Sequence, residues 1–327
     1  MIISRTPYRV SFFGGGSDYE AWFKDHDGAV ISLAINRYCY LTVRWLPPFF
    51  RHKNRAVWSK IELTDGIDEI EHPAIRSCLQ YMRLKDIEIH HAGDLPARSG
   101  MGTSASFTVG LLNVLHALCG EMVSKRQLAI EAMEVDQDMV RDSSGCQDHV
   151  AAAFGGFNRI EFREYRAGFS VTPIITDAVF EENLQDRLML FFTGIFRDAK
   201  ESASEQITAI QRKPENIEAL LKIVDAAYEA IKDRNLRVIG ELLHESWLVK
   251  RGIAESVTNE QINSIYERGL KAGAIGGKLL GAGAGGCILF YVEPDDQRSV
   301  LKELRDLIHV PFRIDRSGSQ IIYYQAA

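Results

Sequence analysis

The run LPARSGMGTSASF, Leu95 to Phe107, sets two glycines and four hydroxyl side chains within thirteen positions. Gly100 and Gly102 let the backbone approach a ligand with no β-carbon in the way. Thr103, Ser104 and Ser106 then open a helical pattern, whose free first-turn N–H groups and dipole favour an anion. A helix start capped by a hydroxyl explains one Ser or Thr, but not a glycine pair followed by three hydroxyls within four positions. The run reads as a cradle for polyphosphate.

The rest of the chain narrows what such a cradle serves. Its 327 residues exceed the usual size of a single core, so two domains or one large one are expected. A net charge of −6 provides no overall positive field for nucleic acid or anionic membrane. The five cysteines, Cys39, Cys78, Cys119, Cys146 and Cys287, are widely spread and form no C-x-x-C pair, which points to reduced thiols rather than a disulfide framework or a zinc site. The N-terminus has no cleavable apolar segment, and Leu279 to Val292 is too short and glycine-rich to span a bilayer. A cytoplasmic protein without membrane or nucleic-acid partners is expected.

Strand patterns cover Tyr8 to Phe13, a sheet pair from Gly28 to Val43, and Ile87 to His91. Helical patterns cover Thr103 to Cys119, closed by Gly120, and Ser124 to about Arg141, opened by a capping-box spacing from Ser124 to Gln127. A polar stretch between Val171 and Arg187 suggests a boundary dividing residues 1–184 from 185–327. Beyond it, LMLFF reads as a strand. Helical patterns follow over Ala199 to Gln211, Asn216 to Ile231, Arg237 to Lys250 and Asn259 to Ala272. The strand CILFYV, a helix over Val300 to Ile308 and a strand over Gln320 to Tyr324 complete an α+β chain.

Two further glycine-rich stretches flank the first. In GGKLLGAGAGGC, Gly281, Gly283 and Gly286 match G-x-G-x-x-G formally, but a helical pattern precedes them and a strand follows, the reverse of a dinucleotide site. A Walker loop fails as well, because Leu279 follows Lys278. In RVSFFGGGSDY, Asp18 beside Gly15, Gly16 and Ser17 is placed either to accept hydrogen bonds from vicinal hydroxyls or to stabilise an Asx-type turn.

Together and in this order, RVSFFG with SDY, PARSGMGTSA and GKLLGAGAGG resemble the GHMP kinase superfamily, named for galactokinase, homoserine, mevalonate and phosphomevalonate kinases. Met101 stands where Leu is usual, Thr103 for the first Ser of the loop, and Leu280 where Ser or Thr is frequent. Within the superfamily, TPYRVSFFGGGSDY, QDHVAAAFGGFN and ESWLVK look most like the D-glycero-D-manno-heptose 7-phosphate kinases. The resemblance implies an N-terminal half like ribosomal protein S5 domain 2, a ferredoxin-like C-terminal half and a site between them. It also implies ATP and Mg2+, a small sugar phosphate as acceptor phosphorylated at its anomeric hydroxyl, and a monomer or homodimer.

The motifs then imply roles. Pro96, Arg98, Ser99, Gly100, Met101, Gly102, Thr103, Ser104 and Ser106 would hold the ATP phosphates, with Gly283 from the third motif. Ser104 would bind magnesium with a carboxylate on the next helix, which falls on Asp136, with Glu134 and Asp138 as neighbours. Asp148, in GCQDHVAAAFGG, matches the acid that approaches the acceptor hydroxyl, with Arg9 as its expected partner. Asp18, helped by Gly15, Gly16 and Ser17, would hold sugar hydroxyls, and Arg197 and Lys200 would meet a substrate phosphate. The nine histidines form no metal spacing, and His149 is expected to be structural. Two alternatives stand beside this reading: a kinase for fucose, galactose, mannose or mevalonate, and a non-catalytic sensor of ATP and sugar on the same fold.

Overall fold

The structure is a computed structural model that describes every residue except 165–166, 197–204, 206, 211 and 326–327. The strands are β1 (Ile2–Phe13), β2 (Gly28–Trp45), β3 (Asn54–Val57), β4 (Ile61–Thr64), β5 (Ile87–Gly93), β6 (Phe157–Phe162), β7 (Phe169–Pro173), β8 (Leu188–Phe192), β9 (Ala274–Leu279), β10 (Cys287–Val292), β11 (Ile308–His309) and β12 (Gln320–Tyr324). The helices are α1 (Glu20–Phe23), α2 (Pro73–Met82), α3 (Thr103–Leu118), α4 (Lys125–Met133), α5 (Cys146–Phe154), α6 (Ala178–Asp186), α7 (Pro214–Lys232), α8 (Leu236–Arg251), α9 (Glu260–Lys271) and α10 (Gln297–Glu303).

Two sheets result. The first runs β12-β1-β2-β5-β3-β4, with β6 and β7 continuing from the other half of β2, and the second runs β11-β8-β10-β9. The expected pair over Gly28 to Val43 is instead one strand of eighteen residues. It stays unbroken because one edge pairs with β1 while the other serves β6 over Gly28–Leu33 and β5 over Cys39–Trp45. Helix α3, apolar on most faces, is buried against β1 and β2. The helical pattern from Ser124 is correct at its start, where Ser124 accepts from Gln127 N at 3.1 Å, but the α-helix ends at Met133 and a wider π-helical turn takes Glu134–Met139.

Two other features depart from the sequence reading. The glycine stretch GGKL is part of β9, because Gly276 and Gly277 lie so close to α8 and β10 that no β-carbon fits. The boundary is also not a single cut. It falls in the last turn of α6, and β12 returns to pair with Ile2–Arg5 of β1. The halves are further tied where Lys278 Nζ donates to Phe12 O at 3.1 Å and Cys287 N to Ser99 O at 2.8 Å.

Candidate active site

Past Arg5 the outer edge of β1 is no longer covered by β12, and Arg9 N donates instead to Met101 O at 3.0 Å. The register with β2 shifts between Pro7 and Tyr8, the kind of irregularity that re-aims the side chain beside it. Arg9 is thereby carried under the loop that holds Gly100 to Ser104. Its Nε and Nη2 reach Asp148 Oδ1 and Oδ2 at 2.7 and 2.8 Å, and Nη1 reaches Gly100 O at 2.7 Å. This is the fork geometry in which arginine holds a carboxylate.

Asp148 rides in the first turn of α5, whose start is held by Asp18. Asp18 O accepts Cys146 N at 3.0 Å, Oδ2 accepts Gln147 N at 3.4 Å, and Oδ1 accepts Gly16 N at 2.9 Å. Burial, and then the Asp148 charge, push the Asp18 pKa up, while the Gly16 and Gln147 bonds oppose them. Both readings of Asp18 thus meet in one side chain: it ties the turn and still lines the cleft.

The cleft, about 820 Å³, runs without a break from Asp18, Gln147 and Asp148, past Gly100, Gly102, Thr103 and Ser104, to an aromatic end. Gly102, with φ of +70°, is the N-cap of α3, and no side chain caps that helix. Its first-turn donors are left for a ligand. At the aromatic end His72 stacks on Phe107 with ring centroids 4.8 Å apart, and Trp58 meets His72 edge-on. Burial lowers the His72 pKa to about 4, so the ring is a neutral surface suited to a flat base.

Not every expected residue faces this cleft. Pro96, Arg98, Gly100, Gly102, Thr103, Ser104, Gly15, Gly16, Asp18, Arg9 and Asp148 line it. Ser99 and Met101 are fully buried, Ser106 donates to Pro7 O at 2.9 Å, and Ser17 Oγ lies 2.9 Å from both Gly14 O and Ala29 O and accepts from Ala29 N at 3.1 Å. These four build the loops rather than touch a ligand. Gly283 packs on the Val257 backbone, and Gly281 and Ala282 line the cleft in its place. Arg197 and Lys200 lie outside the described residues.

Asp136 also turns away. Its Oδ1 accepts from Thr108 Oγ1 at 2.7 Å and its Oδ2 faces His149 Nε2 at 2.9 Å, with Asp136 and His149 both buried. The carboxylate near Ser104 is Asp142, with Oδ2 3.3 Å from Ser104 Oγ on the cleft wall. Glu134 accepts from Tyr81 Oη at 3.0 Å. A hydroxyl and a carboxylate beside a phosphate cradle fit magnesium, which takes one or two carboxylates and fills its shell with phosphate and water. Among the described residues no group of three or more His, Cys, Asp or Glu is arranged for a metal ion.

The residues missed from sequence are Asp142, Gln147, the aromatic end and Lys250. Lys250, in the last turn of α8, lines the cleft near Asp148 and looks in sequence like an ordinary basic helix end.

Sequence profiles agree with the geometry. Residues 70–156 match the GHMP kinases N terminal domain and residues 227–309 the GHMP kinases C terminal domain. The chain belongs to the GHMP kinases. It is an ATP-using phosphotransferase with an alcohol group as acceptor, a sugar kinase by its relatives. It is 26% identical to the D-glycero-alpha-D-manno-heptose 7-phosphate kinase of Campylobacter jejuni over 321 residues, 93% of each chain. It is also 26% identical to the galactokinase of Thermococcus kodakarensis, over 92% of each. Among solved structures, a D-glycero-D-manno-heptose 1-phosphate kinase from Bacteroides thetaiotaomicron superposes over all of both chains with a TM-score of 0.82 at 22% identity. Lactococcus lactis galactokinase with galactose gives a TM-score of 0.76 at 20% identity, over 98% of this chain and 94% of that one. These superpositions bear out the two-domain α+β fold. No helix among the described residues of this GHMP kinase is long and apolar enough to cross a membrane.

Proposed function

We propose that this kinase transfers the terminal phosphoryl group of ATP to the anomeric hydroxyl of D-glycero-D-manno-heptose 7-phosphate. The observation that carries the proposal is the Arg9–Asp148 clasp, which stands where the phosphate loop meets the Asp18 end of one continuous cleft. A hydroxyl bound near Asp18 and Gln147 would approach a phosphoryl group held at Gly100 to Ser104 with Asp148 beside it.

In such a transfer the protein mainly positions groups and stabilises charge. The uncapped N-terminal end of α3 binds the phosphates through backbone donors, and Trp58, His72 and Phe107 take the base. Asp148 accepts a hydrogen bond from the attacking hydroxyl and orients its oxygen, while Arg9 holds the Asp148 carboxylate in place. Ser104 and Asp142 would hold magnesium, which supplies neutralisation of phosphate charge. A cytoplasmic enzyme acting on a small sugar phosphate is the setting we infer.

The test is ADP release with ATP and magnesium against heptose 7-phosphate, the unphosphorylated heptose, mannose, fucose, galactose and mevalonate. Turnover confined to the 7-phosphate is expected. Galactose is in the panel because the galactokinase relative is equally identical; preferred turnover of galactose would replace the acceptor. ATP binding with no turnover on any acceptor would favour the sensor.

A further inference from the structure

Lys250 is 5% exposed, yet among the described residues it has no ion pair within 4 Å. Its Nζ donates to Gly281 O at 2.6 Å and Leu279 O at 3.3 Å, both neutral acceptors, and an ammonium has a third proton to give. Burial, and then the Arg9 charge, lower its pKa to about 8, while Asp18 and Asp148 act in the opposite sense from farther off. Burying a cation without a counter-charge is costly, so such a site is short of one negative charge.

The position says which charge. Gly281 touches the phosphate loop: a β-carbon on it would lie 2.6 Å from Gly100 Cα. Gly100 O in turn holds Arg9 Nη1 at 2.7 Å. Arg9 and Lys250 are therefore anchored to two touching glycines, one from each half of the molecule, and both line the cleft. Arg9 has Asp148 for a counter-ion. Lys250 has the open cleft.

We propose that Lys250 is a second cation for the transferring phosphoryl group, contacting its oxygens from the C-terminal half while Arg9 and the phosphate loop face it from the N-terminal half. The proposal rests on the kinase reading above. It also makes the site depend on closure of both halves, because α8 carries the lysine and β1 the arginine.

The experiment is calorimetric binding of ADP and of the non-hydrolysable ATP analogue AMP-PNP, each with magnesium, to wild-type protein, Lys250→Met and Lys250→Gln. Glutamine removes the charge and retains an N–H donor, one atom nearer the backbone, on the side of Gly281 O, so it carries the test should the methionine variant not fold. Wild type is expected to prefer AMP-PNP, and the variants to bind ADP within about twofold of wild type while losing about tenfold of that preference. An unchanged preference, or equal weakening of both nucleotides, overturns the role of Lys250. Weakened binding of heptose 7-phosphate with both nucleotides unaffected also overturns it, by assigning the lysine to the acceptor. Wild-type protein that binds neither nucleotide overturns the kinase reading itself.

Discussion

Gly145 approaches Asp18 so closely that a β-carbon on it would lie 1.9 Å from Asp18 Oδ2. The Gly145 backbone is ordinary, with φ of −71°, so only space forbids a side chain there. Gly145→Ala should therefore fold but displace the Asp18 carboxylate. The KM for the sugar should rise about tenfold or more, with the KM for ATP within about twofold, as for lost contacts to a charged group. Initial rates over both substrates check this, and equal rises in both KM values would separate Asp18 from the acceptor.

Asp148→Asn keeps an oxygen for Arg9 but cannot take a proton or carry the charge. Its kcat should fall by about 10²–10⁴-fold, the span typical of a positioned acid or base. The melting temperature should drop by no more than a few degrees. A rate near wild type would leave Asp148 as a mere counter-ion to Arg9.

Asp142 and Asp136 predict opposite phenotypes. Ser104→Ala and Asp142→Asn should shift the magnesium dependence of the rate to higher concentration with little change in melting. Asp136→Asn should leave magnesium dependence alone and cost about 2 kcal/mol of stability, because it weakens buried bonds with Thr108 and His149. Magnesium titrations with thermal melts of the three variants decide, and a magnesium shift in Asp136→Asn alone would restore the assignment made from sequence.

Lys250 predicts a pH signature. With its pKa lowered to about 8, the ammonium is lost as pH rises through that value, so kcat/KM should fall above about pH 8. The same limb should be absent in Lys250→Gln. Stability moves the other way: between about 8 and the ordinary lysine value of 10.5 the unfolded chain holds more protons, so the Lys250 contribution to stability rises with pH. Rate profiles and melts across that window should diverge in sign.

Trp58→Ala should raise the KM for ATP about tenfold while sparing kcat, since one wall of the aromatic end is lost. Because His72 titrates only near pH 4, nucleotide affinity should show no step from it between pH 6 and 8. Fluorescence titration with ADP at several pH values measures both.

The sequence was most informative where chemistry demands a particular backbone. That Gly100 to Ser104 and the Asp of GCQDHV share one cleft is legible because glycine, hydroxyl and carboxylate at those spacings have few other uses. The setting of Asp136 was not legible, because spacing along the chain cannot reveal that a π-helical turn takes Glu134–Met139, nor that Asp136 meets Thr108 and His149 while Asp142 lines the cleft. β9 was hidden by glycines that serve close packing, since small residues erase the strand pattern they make possible. Lys250 was hidden because burial of a helix-end lysine is a tertiary fact.

The pairing of β1 with β12 bears on how the enzyme is made. The strand that carries Arg9 is translated well before its partner, so its outer edge over Ile2–Arg5 waits for Gln320–Tyr324. Until then that edge is an open template for other strands. A chain stalled before residue 320 would hold the residues of the phosphate loop and of the clasp and still offer a bare edge, which makes truncated translation products of this kinase candidates for chaperone capture and degradation.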